Sequence, residues 1–99
     1  MTKFVVMYED ERQDQENLTP ELLKGHIEYL RDMCSQGIIV QCGPLKINGF
    51  MCGRALLIFK ATSQEEVENF VSKDPFIDQK WYASYHIFEW VEVDVSNNC

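Results

Sequence analysis

The sequence predicts one α+β domain in which two helices alternate with four strands in the order β-α-β-β-α-β. Three observations indicate this class. Strand-like runs of β-branched and aromatic residues alternate with segments of helical periodicity, an N-cap residue precedes each helical segment, and 99 residues are too few for two independent cores. We therefore expect residues 1–95 to form a single domain and residues 96–99 to form a short C-terminal tail.

The first half of the chain predicts a strand, a loop and a helix. Residues 3–8 are rich in β-branched and aromatic side chains, and the polar residues 9–18 follow as a surface loop. Thr19 is a typical N-cap, and Pro20 suits the first helical position. Apolar side chains then recur at helical spacing, namely Leu23, Ile27, Leu30 and Cys34, flanked by Leu22, His26 and Met33. Gly37 is typical of the residue that follows a helix.

The second half supplies the remaining strands and the second helix. Three strands are predicted at residues 38–42, 53–60 and 85–93. Gly43-Pro44 ends the first of these, and the connection to the next contains Asn48-Gly49, a strong signal for a hairpin turn. Ser63-Gln64-Glu65-Glu66 has the form of a capping box and predicts the start of the second helix, with Thr62 or Ser63 as the cap. This order is the split βαβ, or ferredoxin-like, pattern, with both helices on one face of a four-stranded antiparallel sheet.

Strand alternation predicts apolar side chains on both faces of this sheet. In the first strand Phe4, Val6 and Tyr8 point to one face, whereas Val5 and Met7 point to the other. The third and fourth strands repeat the pattern. Helices on one side would leave the other apolar face in water, which is typical of an interaction surface. We therefore expect a homodimer in which two sheets pack face to face.

The charge and hydropathy of the chain argue against two classes of partner. The chain has 16 acidic and 9 basic residues, a net charge of −7, and such a surface repels nucleic acid. No apolar run reaches the roughly 18–20 residues of a membrane-spanning helix. Residues 1–3 lead straight into a strand, so we expect no signal peptide. These features favour a cytoplasmic protein without nucleic-acid or membrane partners.

The four cysteines predict neither a metal site nor a disulfide framework. Cys34, Cys42, Cys52 and Cys99 form no C-x-x-C pair, and no histidine stands at a zinc-like spacing from them. We expect them to be reduced thiols. The sequence also contains no glycine-rich phosphate loop. The sequence therefore predicts no metal and no cofactor. The ligand that we expect is a small molecule.

Four residues are candidates for a functional site. His26 lies on the apolar helical stripe, and histidine is the side chain best suited to proton transfer near neutral pH. Asp74 would be a suitable carboxylate to orient it. The alternatives are a histidine packed at the edge of the core and an N-cap role for Asp74, with Pro75 in a helical turn. Tyr8 and His86 are predicted to contact substrate, His86 from a pocket on the dimer side of the sheet. The alternatives are packing in the core or at an interface for Tyr8 and a packed, hydrogen-bonded histidine for His86.

A set of small, aromatic and ionisable residues stands at characteristic points of the predicted elements. They are His26 with Leu30 (H-x-x-x-L), Gly37, Gly43-Pro44, Gly53, Asp74-Pro75-Phe76, Phe88 and Trp90. In this order and spacing the chain resembles the YciI-like, or YCII-related, family along nearly all of its length. The resemblance implies a dimeric α+β barrel with a site built around a histidine and an aspartate, which His26 and Asp74 match.

The resemblance also indicates a range of chemistry. One branch of the family resembles a dehydrochlorinase that acts on chlorinated hydroxyquinols, and neighbouring families include muconolactone isomerases and quinol-type monooxygenases. Residues 77–81 replace the small residues that many relatives have. The substrate of any one relative therefore does not transfer directly to this chain.

Together these observations predict a small-molecule enzyme of the lyase or isomerase type that needs no cofactor. His26 would act as the general acid and base, and Asp74 would assist it. The alternative is a non-catalytic ligand-binding or structural dimer of the same fold.

Overall fold

The computed structural model describes residues 1–10 and 18–96. Within them the strands are β1 (Thr2–Glu9), β2 (Ile39–Ile47), β3 (Phe50–Ala61) and β4 (Ser84–Trp90). The helices are α1 (Pro20–Ser35), α2 (Gln64–Ser72) and the short α3 (Pro75–Asp78). No helix in these ranges has the length and apolar character needed to cross a membrane. Most of the predicted loop, residues 11–17, and residues 97–99 of the predicted tail, including Cys99, lie outside the described residues.

The strands form one antiparallel sheet in the order β2-β3-β1-β4. Val6 in the central strand β1 pairs with Leu57 of β3 on one side and with Ile87 of β4 on the other. Side chains from α1 and α2 join those of the strands in one core, so both helices pack on the same face of the sheet. This arrangement confirms the predicted α+β fold of the ferredoxin-like type.

The N-terminal ends of both long helices are capped as the sequence predicts. The hydroxyl of Thr19 accepts a hydrogen bond of 3.1 Å from the backbone N–H of Leu22. The hydroxyl of Ser63 accepts one of 3.2 Å from the N–H of Glu66. The carboxylate of Glu66 accepts from the hydroxyl and backbone N–H of Thr62, so the return arm of the capping box reaches one residue beyond the cap. Each such cap contributes about 1 kcal/mol.

The buried face of α1 differs from the predicted stripe. Leu23 and Ile27 are 39% and 37% exposed, and Cys34 is also exposed, whereas Tyr29 and Met33 are buried. Both sets of side chains have helical spacing, so periodicity alone did not distinguish them. Tyr29 is favoured inside because its hydroxyl finds an acceptor: it donates a 2.7 Å hydrogen bond to the backbone carbonyl of Phe70.

The hairpin between β2 and β3 is longer than the sequence predicts. β2 continues through Gly43-Pro44 to Ile47, and β3 begins at Phe50 rather than at Gly53. Pro44 is tolerated because β2 is an edge strand, in which a missing N–H need not break the ladder. The predicted turn is confirmed: Asn48 and Gly49 both have positive φ, at 52° and 85°, as a two-residue hairpin loop requires.

The two faces of the sheet have different surroundings. The face toward the helices carries the core side chains Phe4, Val6, Tyr8, Leu57 and Phe59. The opposite face, which we call the open face, carries Val5, Met7, Leu56, Ile58, His86, Phe88 and Trp90. Two of its aromatic side chains remain well exposed, Phe88 at 55% and Trp90 at 41%. An apolar surface of this kind is typical of an interaction site.

Candidate active site

Asp74 is the centre of a buried hydrogen-bond network. It follows α2 and is the N-cap of α3, and its side chain is fully buried. Its Oδ1 atom accepts from the backbone N–H of Phe76 at 3.0 Å and lies 2.7 Å from Nδ1 of His26. Its Oδ2 atom accepts from the hydroxyl of Tyr8 at 2.9 Å. Three partners for one carboxylate explain how such a polar group is accommodated in the core.

His26 reaches this carboxylate because α1 passes very close to α3. A Cβ atom placed on Gly25 would lie only 3.3 Å from Cγ of Pro75, so a glycine beside the histidine permits the approach. The imidazole of His26 stacks on the ring of Phe76, with centroids 3.7 Å apart and planes inclined by 10°. The side chain is 14% exposed. One nitrogen is engaged by Asp74, which leaves Nε2 as the ring nitrogen available to a ligand.

The network defines the tautomer of His26. Asp74 already accepts from two donors, Tyr8 and the backbone of Phe76, and a carboxylate is an acceptor at both oxygens. The short contact with His26 is therefore assigned as an Nδ1–H donor to Oδ1. In the neutral ring Nε2 then carries the lone pair. A histidine oriented in this way can accept a proton at Nε2 while the carboxylate stabilises the imidazolium that forms.

Tyr8 supports the same carboxylate from the opposite side. Burial and the neighbouring charge of Asp74 raise the pKa of this phenol far above its ordinary value. Tyr8 therefore remains a neutral hydrogen-bond donor at all physiological pH values. Its hydroxyl, which the sequence assigned to substrate, is used by Asp74, although the side chain also contributes to the wall of the neighbouring cavity.

A cavity of about 380 Å³ opens beside His26. Its walls are mainly apolar and include Leu23, Leu30, Leu45, Met51, Leu57 and Phe76. Ionisable side chains at its surface include His26, Asp10 and Arg54, and the aromatic rings of Trp81 and Tyr82 close one side. Burial raises the pKa of Tyr82 to about 12. This size lies in the roughly 300–1,000 Å³ range of small-molecule sites.

The predicted site residues divide into two groups. His26, Asp74 and Tyr8 are joined by direct hydrogen bonds. His86 is separate: it lies on the open face opposite Met7, its side chain is 55% exposed, and its Nε2 is 3.8 Å from the carboxylate of Glu9. The structure thus does not bring His86 to the cavity beside His26. The N-cap role considered for Asp74 is also present, because the same side chain caps α3 and contacts His26.

Several residues of the site were not singled out by the sequence. Gly25 was missed because its effect depends on its contact with Pro75, which lies 50 positions further along the chain. Cys42 and Arg54 line the cavity from neighbouring strands. Strand alternation places Cys42 on the same face as its partner Leu57, and this was the available signal. Among residues 1–10 and 18–96 there is no cluster of three or more His, Cys, Asp or Glu side chains suited to a metal ion.

The fold and the site together define a ferredoxin-like α+β domain in which a buried aspartate contacts a partly buried histidine beside a ligand-sized cavity. The model of the YCII-related domain family matches residues 3–91, and the chain belongs to this family. The resemblance seen in the sequence is thereby confirmed.

One solved structure similar to this chain is 5-chloro-2-hydroxyhydroquinone dehydrochlorinase (TftG) from Burkholderia phenoliruptrix AC1100, in complex with 2,5-dihydroxybenzoquinone. The two chains share 23% sequence identity and superpose with a TM-score of 0.71 over 91% of this chain and 95% of the other. At this identity the likeness supports the fold. Comparison with curated proteins found no match.

Proposed function

We propose that this protein is a small-molecule enzyme of the lyase or isomerase type in which His26 is the general acid and base. The observation that carries the proposal is the 2.7 Å contact between Nδ1 of His26 and Oδ1 of Asp74, made by a histidine at the wall of the cavity. Asp74 orients the imidazole and stabilises its protonated form. This arrangement supplies proton transfer from the protein's own side chains.

The proposed reaction begins with removal of a proton. Nε2 of His26 takes it from a carbon or hydroxyl next to a carbonyl, and the electron pair left behind forms a new double bond within the substrate. In a lyase acting on a chlorinated hydroxyquinol, the proton of one hydroxyl moves to the ring carbon that bears chlorine, and that hydroxyl becomes a carbonyl. Removal of a second hydroxyl proton by Nε2 then forms another carbonyl as the ring electrons shift, and chloride departs with the electrons of its own bond. In an isomerase the imidazolium returns the proton to a different carbon of the same molecule. Both schemes balance without an oxidant or reductant.

An oxygenated ring is the substrate class that the cavity suits best. Apolar walls and about 380 Å³ of space match a single planar ring. The similar solved structure is described as a dehydrochlorinase of a chlorinated hydroxyhydroquinone, with a dihydroxybenzoquinone bound. Such compounds carry acidic ring hydroxyls, and a histidine base can remove the protons of these hydroxyls.

We also propose that the protein acts as a homodimer that buries the open face. Phe88 and Trp90 are 55% and 41% exposed there, and Val5, Met7 and Leu56 lie beside them half-buried. Packing two such faces together removes apolar surface from water and would contribute roughly 25 cal/mol for each square ångström buried. The cavity of His26 lies on the opposite, helix-covered side of the sheet, so dimerisation leaves the proposed reaction site within each chain.

Turnover of a chlorinated hydroxyquinol tests the catalytic proposal. Purified protein should release chloride from 5-chloro-2-hydroxyhydroquinone, and His26→Gln should slow the release by at least about 100-fold while the protein stays folded. Asp78→Asn is the control for a substitution near the site, because this carboxylate is exposed on the short helix that Asp74 caps. It should leave chloride release unchanged. If wild-type protein binds ring compounds but turns over none of a panel of hydroxylated and chlorinated rings, the alternative of a non-catalytic ligand-binding dimer is favoured instead.

A further inference from the structure

The indole nitrogen of Trp81 is a buried donor without an acceptor. Within residues 1–10 and 18–96, its Nε1 atom is the only buried side-chain nitrogen or oxygen that lacks a hydrogen-bond partner. Buried polar groups are paired in the great majority of cases, and an unpaired N–H costs folding free energy. Trp81 is also one of the residues that line the cavity beside His26, so the unpaired donor belongs to a side chain that a ligand in this cavity would contact.

The position of Trp81 is fixed by the backbone after α3. The backbone N–H of Trp81 donates a 3.0 Å hydrogen bond to the carbonyl of Phe76. The preceding residue, Lys80, adopts a positive φ of 59° to make this turn. The indole packs against the ring of Phe76 with centroids 4.5 Å apart and meets Tyr82 edge-on at 4.8 Å. Phe76 in turn stacks on His26. Trp81 is thus held at the cavity wall, one ring removed from the proposed base.

We propose that the indole N–H of Trp81 binds an oxygen of the ligand and makes the cavity selective for rings that carry a carbonyl or phenolate oxygen. An indole nitrogen can donate but cannot accept, so its partner must be an acceptor. Arg54 and Asp10 both line the cavity, and Arg54 lies 3.5 Å from the carboxylate of Glu9, so the indole donor and not the net charge of the wall would set this selectivity. A second part of the ring would then face His26. The inference rests on the proposed function, because it assigns the substrate class of the same cavity.

A buried donor also makes the cavity selective. A site built to donate a hydrogen bond rejects ring compounds that lack the acceptor, because the donor then stays unpaired. The expected order of affinity is therefore an oxygenated ring above an apolar ring of the same size.

Indole NMR and calorimetry test the proposal with 2,5-dihydroxybenzoquinone and p-xylene as probes. The quinone should move the indole N–H resonance of Trp81, and Trp81→Phe should weaken its binding by at least about tenfold, the lower end of the effect of losing one hydrogen bond to a charged acceptor. The same variant should change the affinity for p-xylene much less. Trp90→Phe is the matched control, since Trp90 lies on the open face, and it should leave the binding of both probes unchanged.

Other outcomes distinguish this inference from the proposed function. If the quinone binds and His26→Gln weakens it, but the Trp81 resonance does not move and Trp81→Phe binds normally, the inference is wrong and the proposed function stands. Equal losses for both probes in Trp81→Phe would show that the ring only packs. If wild-type protein does not bind the quinone, both are wrong. Should Trp81→Phe fail to fold, the shift of the wild-type indole resonance decides the question.

Discussion

Tyr8 donates a hydrogen bond of 2.9 Å to Oδ2 of Asp74, while Oδ1 of the same carboxylate lies 2.7 Å from Nδ1 of His26. The carboxylate therefore has a buried donor on one side and the proposed catalytic base on the other. Tyr8 comes from the central strand, His26 from α1 and Asp74 from the turn before α3. The site is thus assembled where three separate elements meet.

Removal of the Tyr8 hydroxyl should destabilise the fold and weaken the site. Tyr8→Phe keeps the ring but leaves Oδ2 of Asp74 without its buried donor, which should cost about 1.5–3 kcal/mol in the free energy of unfolding. Urea denaturation measures the change. Tyr85→Phe is the matched control, because Tyr85 pairs with Tyr8 across the sheet, and it should change stability by less than about 0.5 kcal/mol. Equal stability of Tyr8→Phe and wild type would contradict the role given to this hydrogen bond.

Substitutions of the pair should separate catalysis from folding. His26→Gln removes the base and should lower turnover by about 100- to 10,000-fold. It should lower the melting temperature less than Tyr8→Phe does, because Oδ1 of Asp74 keeps the backbone N–H of Phe76 as a donor. Asp74→Asn should lower both turnover and stability, since its amide nitrogen would face one of the donors Tyr8, His26 or the Phe76 backbone. Circular dichroism and single-turnover kinetics measure the two effects. A His26→Gln variant that unfolds while retaining activity per folded molecule would show that the histidine is structural.

Tyr8 and Tyr29 show how much of the fold and of the site the sequence predicts. Strand alternation correctly grouped Tyr8 with Phe4 and Val6 on one face of the sheet, because the side-chain period of a strand depends only on the backbone. It did not indicate which face the helices cover. Its hydrogen bond to Asp74 spans 66 positions, and no local pattern contains that information. Tyr29 was missed because α1 offers two apolar stripes, and the acceptor that favours Tyr29 inside, the Phe70 carbonyl, belongs to another helix.

The same reasoning explains the errors at the second strand. Gly43-Pro44 is typical of a strand end, and the sequence predicts one there. Pairing with β3 continues past it because β2 lies at the edge of the sheet, where Pro44 opposes Ala55. Edge position is a property of the whole topology. It follows only after the order of the strands is known.

Stability should fall at alkaline pH because three phenols are protonated more strongly in the folded chain. Burial raises the pKa of Tyr82 to about 12. It also raises the pKa of Tyr8 and the pKa of Tyr29 well above the ordinary value of a phenol. Unfolded phenols ionise near pH 10, so this stabilisation is fully present below about pH 10 and is lost as the pH rises toward 12. Urea midpoints from pH 8 upward should therefore decline above about pH 10. Tyr82→Phe should make the decline shallower, and a midpoint that stays constant through this range would contradict the prediction.

The cysteines should all be free thiols. Cys34, Cys42 and Cys52 are unpaired in the described part of the chain, and Cys99 lies outside it. Titration with a thiol reagent in denaturant, without reductant, should therefore find the four thiols of the sequence. Burial raises the pKa of Cys42, so its alkylation at neutral pH should be slow and should slow further when a ligand fills the cavity that it lines. Two thiols per chain in freshly purified protein would contradict the expectation.

Assembly should depend on the open face and not on apolar exposure in general. Sedimentation at micromolar concentration should give twice the 11.6 kDa mass of the chain. Phe88→Asp should yield a folded monomer, because an unpaired charge buried between two sheets costs several kcal/mol, whereas in the monomer this side chain is 55% exposed. The helical content of the variant should match that of wild type.

Two further substitutions distinguish the interface from the core. Ile27→Asp introduces the same charge at another partly exposed apolar residue, 37% exposed on α1, and should leave the dimer intact. Leu57→Asp places it on the helix side of the sheet, where Leu57 is 2% exposed, and should unfold the chain. A wild-type protein that is monomeric and stable at micromolar concentration would show that the open face tolerates water, and the proposal of a dimer through this face would then be wrong.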